Sequence, residues 1–261
     1  MKKHLLATAA ALALAAVTPA HAQPVVRLFE LQTPPQEAAR FAETARQTLL
    51  FAHENEPGTL FMHALRKAGD AQLNYLFEMY RDEAAYRQHT ESAAFRHYRA
   101  IAPQMISGRK LIEAEPQLMH ERGPLRFVAG EQSRPYVRLL RLQARPGQGA
   151  ALKAALLAWQ THMARPQAGL AALYSVTEKA APDVWHVLEI HDSQADFRAA
   201  GAAAARAEFE KQSAPMLAAQ QTQILDAVVL TSKGGLRAAA PDAAPPSGKI
   251  PAHEHSNHYG D

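Results

Sequence analysis

The sequence predicts an α+β protein built from two tandem, diverged copies of one small β-α-β-β-α-β unit. Self-similarity at a fixed offset carries this expectation, together with the order of strand-like and helix-like segments inside each copy. At an offset of 111 positions Val26-Arg27-Leu28 falls on Val137-Arg138-Leu139, and Leu31-Gln32 falls on Leu142-Gln143. Pro35 meets Pro146, Gly58 meets Gly169, Glu78 meets Glu189 and Met105 meets Met216. One register kept through strand, helix, glycine and strand is the mark of a duplicated unit, and so long a period makes a pair of domains. The chain has no cysteine, so a packed core has to hold it without disulfides.

In the first copy Val25–Leu31 is rich in β-branched and large apolar residues, which reads as a strand. Pro34-Pro35 ends it, and Pro35 suits the first turn of a helix. Over Gln36–His53 the residues Ala38, Phe41, Ala45, Leu49 and Ala52 share one helical face. Pro57-Gly58 breaks that helix. Thr59–Arg66 and Leu73–Tyr80 form two short strands around the hairpin signal Ala68-Gly69-Asp70. Asp82 is an N-cap for a helix carrying Ala85, Tyr86 and His89. A helical stretch over Phe95–Ile106 and a strand at Lys110–Glu115 complete the unit.

The second copy repeats the order with Tyr136–Ala144, a helix over Gln148–Met163, a hairpin of Ala171–Thr177 with Val184–His191, and a last strand at Leu225–Ser232. Ser193 and Asp196 resemble a capping box for its second helix. The expected organisation is a signal peptide over 1–22, a first domain over 23–115, a linker over 116–134, a second domain over 135–232 and a disordered tail over 233–261.

The start of the chain carries the export signature: a basic Lys2-Lys3, an apolar run Leu5–Val17 and the small-x-small site Ala20-His21-Ala22. The expected location is periplasmic or secreted. Charge excludes other classes of partner. The 28 Lys+Arg and 25 Asp+Glu become 26 and 25 once Lys2 and Lys3 are removed. So balanced a chain makes no electrostatic case for nucleic acid or an anionic membrane, and no later run is long and apolar enough to span a bilayer.

Three stretches carry a family likeness. Glu56-Pro57-Gly58-Thr59-Leu60, Phe77-Glu78-Met79-Tyr80 and His89-x-x-Ser92-x-x-Phe95 resemble the antibiotic biosynthesis monooxygenase family. The resemblance covers the first copy and, more faintly, the second. It implies ferredoxin-like units that pair into a dimeric α+β barrel, here formed within one chain, with a further homodimer left open. It also implies oxygenation of quinols or polycyclic phenols with no cofactor, the partners being a small aromatic substrate and dioxygen. The haem-degrading branch matches poorly, because Val25–Leu31 lacks Asn and the first copy lacks Trp.

The residue chemistry is compatible with that implication. Oxygenating a phenol without a metal or flavin needs a base for the hydroxyl proton, and an imidazole serves as one near neutral pH. His89 is the candidate base, with Tyr75, Tyr80, Tyr86, Asn55 and Glu78 as candidate substrate contacts. A half-buried packing role is the competing reading of His89, and core packing that of the tyrosines. At the same offset His89 becomes Ala200, Asn55 becomes Pro166 and Glu56 becomes Gln167, so the second copy is expected to complete the scaffold. His253, His255 and His258 in the tail are candidate metal ligands. The alternative function is a non-catalytic barrel that binds a small apolar ligand or a metal.

The mature chain is expected to begin at Gln23, which intact-mass spectrometry of a periplasmic extract checks; an intact Met1 in that fraction overturns it.

Overall fold

The computed structural model describes residues 23–131, 134–164 and 169–237. The export segment, the offset positions Pro166 and Gln167, and the tail histidines His253, His255 and His258 lie outside the described residues. The first unit runs β1 (Val25–Gln32), α1 (Ala38–Asn55), β2 (Thr59–Lys67), β3 (Leu73–Tyr80), α2 (Glu83–Thr90), α3 (Ala93–Met105) and β4 (Gly108–Glu121). A short β5 (Arg126–Val128) follows, then β6 (Tyr136–Ala144), α4 (Gly149–Met163), β7 (Leu170–Glu178), β8 (Ala181–His191), α5 (Gln194–Arg198), α6 (Ala200–Ser213) and β9 (Leu217–Ser232).

All nine strands form one antiparallel sheet in the order β2-β3-β1-β4-β7-β8-β6-β9-β5, and an added β2–β9 pairing closes it into a barrel. Closure depends on two long strands. β4 pairs with β1 from Gly108 to Ala114 and then with β7 from Ala114 to Glu121. β9 pairs with β6 from Leu217 to Leu225 and then with β2 from Leu225 to Ser232. Ala114 and Leu225 are 111 positions apart, so the duplication seen in the sequence is a pseudo-twofold axis of the barrel. The pairings repeat it: Val26 faces Met79 and Val137 faces Ile190, while Met62 faces Glu78 and Leu173 faces Glu189.

Both switching strands outrun the sequence expectation. β4 continues through Pro116–Glu121, the start of the expected linker, and β9 begins at Leu217, eight residues before Leu225. The polar run Ala218–Gln223 has little strand character of its own; its backbone is held by the ladder to β6. Ladder partners override local propensity here.

Side chains alternate between two environments. Val26, Leu28, Phe61, Phe77, Val137, Tyr174 and Leu188 belong to the core inside the barrel. Phe29, Leu31, Met62, Ala64, Leu76 and Tyr80 point outward, beneath Phe41, Ala45 and Leu49 of α1. The second unit covers its outer face likewise with α4 and α6. Each unit therefore has a layer between sheet and helices, apart from the barrel interior.

Gly58 sets the spacing of that layer. A Cβ at this position would stand 2.3 Å from Ala85 Cβ on α2, so only glycine lets α2 seat against the turn after α1. Gly58→Ala should cost about 1–3 kcal/mol of stability by overpacking, read as a lowered denaturant midpoint. A first unit cut at Pro116 loses the strands β7 and β9 that pair with β4 and β2, and exposes the apolar inner face. It should self-associate on size exclusion; a stable soluble monomer would overturn the barrel as the folding unit.

Candidate active site

The site sits in the outer layer of the first unit. Asp82 caps α2, accepting a hydrogen bond from Ala85 N at 2.7 Å, as its sequence position predicts. Ala85 and His89, one turn apart, are the buried residues of this helix and face the sheet. Ser92 caps α3 through Phe95 N at 3.1 Å, which fixes the bend between the two helices.

His89 is 2% exposed, more buried than the half-exposed helical histidine its sequence context suggests. Its Nδ1 lies 2.9 Å from Glu56 Oε2, and the same oxygen accepts from Thr59 Oγ1 at 2.9 Å. Glu56 is the residue that follows α1, in extended conformation. Burial works to raise its carboxyl, but the hydrogen bond and charge of His89, with the Thr59 and Ser92 hydroxyls, hold it below the ordinary 4.5. A carboxylate on Nδ1 favours the tautomer with its proton there, so that a neutral imidazole would carry its lone pair on Nε2. This is the geometry of an oriented general base.

Around the imidazole stand Phe95, with ring centroids 4.9 Å away, and Tyr80 at 5.3 Å. Tyr80 donates its hydroxyl proton to Glu78 Oε2 at 2.9 Å. Burial pushes the Glu78 carboxyl up; His89, the Tyr80 hydroxyl, Arg27 and Arg109 only partly oppose this. Glu78, His89, Phe95, Tyr98, Thr48 and Met62 are among the residues lining a small cavity of about 10 Å³, the room of one water. The 450 Å³ cleft between Met119, Gln160 and Arg237 has His120 on its wall but no carboxylate, and one of 140 Å³ beside Leu230 is lined by His191, whose Nε2 is engaged by Glu189.

The predicted contacts divide. His89, Glu78 and Tyr80 come together, and Tyr86 packs behind Tyr80 at 5.2 Å under the Arg27 guanidinium. Tyr75 does not join them. It points into the barrel and donates to Gln223 Oε1 at 2.8 Å, because residues of odd and even number on one strand face opposite sides. Asn55 does not join them either. It is an exposed residue at the end of α1 whose side chain donates to Phe51 O, so its amide closes the helix. Glu56 joins the site although its place in the motif gives it no side-chain role; its three-residue spacing from Thr59 across a turn is the sign that it points inward.

At the offset positions the second unit is built differently. Glu189 lies 3.3 Å from Arg138 and 4.0 Å from Arg206, and His191 Nε2 lies 2.9 Å from it. Arg206 stands at the position of Phe95, and Trp159, at the position of Thr48, stacks on Phe209. There the carboxyl is ion-paired, and Trp159 and Phe209 line an open cleft of about 310 Å³ between α4 and α6. Among the described residues no three His, Cys, Asp or Glu are grouped to hold a metal ion, and no helix is long and apolar enough to cross a membrane.

Comparison with known proteins agrees with this architecture. The crystal structure of a candidate monooxygenase from Fusobacterium nucleatum superposes with a TM-score of 0.76 at 17% identity, over 84% of this chain and 99% of its own. One from Lactobacillus acidophilus gives 0.73 at 14% identity, over 83% of this chain and 100% of its own. An anthrone oxidase-like protein gives 0.54 at 14% identity, over 83% and 97%. At such identities the likeness is one of fold, and it spans both units. No curated protein matches the chain. Residues 24–101, which hold His89, Glu56 and Glu78, match the sequence profile of the antibiotic biosynthesis monooxygenase family. The first unit is thus similar to the antibiotic biosynthesis monooxygenase family over residues 24–101.

Proposed function

We propose that this is an exported monooxygenase that oxidises a small aromatic quinol or phenol with dioxygen and no bound cofactor, at the cavity beside His89. The observation that carries the reading is the buried His89–Glu56 pair on that cavity. His89 Nε2 takes the hydroxyl proton, and Glu56 stabilises the imidazolium so formed. The resulting phenolate passes an electron to dioxygen, and the two radicals join at a ring carbon. Loss of water from the hydroperoxide then completes the reaction. For hydroquinone the sum is hydroquinone plus dioxygen to hydroxyquinone plus water; one oxygen atom enters the ring and the other leaves as water.

Entry of a ring needs the layer to open. α3 is the element suited to move, since Met105 is its only buried residue. The near-filled cavity favours the second reading, a non-catalytic barrel. Oxygen uptake against a panel of hydroquinones decides between them; no uptake with any of them overturns the enzyme.

His89→Asn keeps a donor where Nδ1 meets Glu56 and removes the base. It should melt within a few degrees of wild type while turnover falls roughly a hundred- to ten-thousandfold. His89→Ala leaves a buried carboxylate unpaired and should also lose about 3 kcal/mol or more of stability. Equal uptake by His89→Asn and wild type would remove His89 from the mechanism.

The Glu56 carboxyl also predicts a pH dependence of stability. Its folded value lies below 4.5, so its contribution is fully present above pH 4.5 and is lost as pH falls through the lower folded value. Melting curves of wild type and Glu56→Gln should differ above that range and converge below it.

A further inference from the structure

Comparison of the two copies assigns a distinct role to Glu78. Glu78 and Glu189 occupy the same register position, each facing an arginine across the ladder: Arg27 on β1 and Arg138 on β6. In the second unit Arg138 turns onto Glu189, and Arg206 adds a second guanidinium. In the first unit Arg27 turns away, to Glu113 on β4 at 2.6 Å and over the Tyr86 ring at 4.4 Å. The cause is one strand further on. Arg27 faces Glu113 in the β1–β4 ladder, whereas Arg138 faces Ile224 in the β6–β9 ladder, so no acid draws Arg138 outward. Phe95 in place of Arg206 removes the other cation.

Glu78 is thus a buried carboxyl on the cavity, bonded to a hydroxyl and to no guanidinium. The groups around it are His89 of α2, Tyr80 of its own strand, Arg27 of β1, Arg109 of β4 and Tyr98 of α3. Arg109 is engaged over the Phe29 ring at 4.9 Å, and His89 with Glu56. Tyr80 donates to Oε2, which leaves Oε1 for a proton. Burial without a paired cation favours the uncharged carboxyl, as the upward push on its titration agrees.

We propose that Glu78 is a second substrate-contacting residue: a neutral carboxyl that donates a hydrogen bond to an oxygen of the substrate other than the one His89 deprotonates. This rests on the monooxygenase reading for its chemistry and narrows the substrate to an aromatic ring with two oxygens, one ionisable and one accepting. Two carboxyls of one site, Glu56 ionised and Glu78 protonated, then hold opposite roles set by their surroundings.

The test begins without substrate. An infrared difference spectrum of wild type minus Glu78→Gln at neutral pH should show the C=O band of a protonated carboxyl; carboxylate bands in its place overturn the proposal. Glu113→Ile, a change at a half-exposed residue outside the cavity, copies the second unit and should release Arg27 onto Glu78, with loss of that band; an unchanged band removes Arg27 and Glu113 from the account of why Glu78 is neutral and overturns it. The substrate claim is read as anaerobic binding of hydroquinone and of phenol by equilibrium dialysis. Glu78→Ala should weaken hydroquinone about tenfold and leave phenol unchanged, while Glu78→Gln, which keeps a donor, retains most of the difference. Equal effects on both compounds, or none, overturn it. Binding needs no turnover, so these outcomes stand apart from the oxygen-uptake result that judges the monooxygenase reading.

Discussion

The barrel is held shut by two backbone ladders that change partner midway. β4 and β9 each spend one half on their own unit and the other half on the opposite unit. Without this exchange each unit would be an open four-stranded sheet with an apolar inner face and free edges, and free edges invite uncontrolled pairing. Because the exchange occupies every main edge, the two inner faces meet and fill the interior. At its centre His63 stacks on Phe61 at 4.8 Å beside Tyr174, and burial pushes the His63 imidazole down to about 3, so it is neutral.

That constraint decides where chemistry can occur. Phe61, Phe77 and Tyr174 pack edge to face in the interior, which leaves the space between the outer face and the helices for a site. There the floor is made by the outward residues of β2 and β3, and the roof by α1, α2 and α3. Proton-handling groups reach it from three elements: Glu56 from the turn after α1, Glu78 from β3 and His89 from α2. Their mutual placement depends on the seat of α2 against Gly58.

The two copies illustrate how one scaffold carries opposite electrostatics. A buried carboxyl sits at the same position in both, yet its partners differ by three substitutions on neighbouring elements: Glu113 against Ile224, Phe95 against Arg206, and His89 against Ala200. In the second unit the result is a carboxylate paired with two guanidiniums, with Trp159 at the position of Thr48. In the first it is a small cavity lined by Glu78 and His89. The second copy closes the barrel through β7 and β9.

By itself the sequence determined the duplication, the order of elements and the caps at Asp82 and Ser193, because each depends on residues near in sequence or on a repeated register. Tyr75 and Tyr80 stood alike as candidate contacts, and the structure places them on opposite faces of β3. Only the tertiary structure decided the rest. The strand exchange at Ala114 and Leu225 depends on partners more than sixty residues away, and a polar run such as Ala218–Gln223 becomes strand because β6 supplies its hydrogen bonds. Glu56 meets His89 across 33 positions, and Arg27 is drawn from Glu78 by an acid on a third strand. Those are through-space effects of charge and ladder register, which no local pattern of residues encodes.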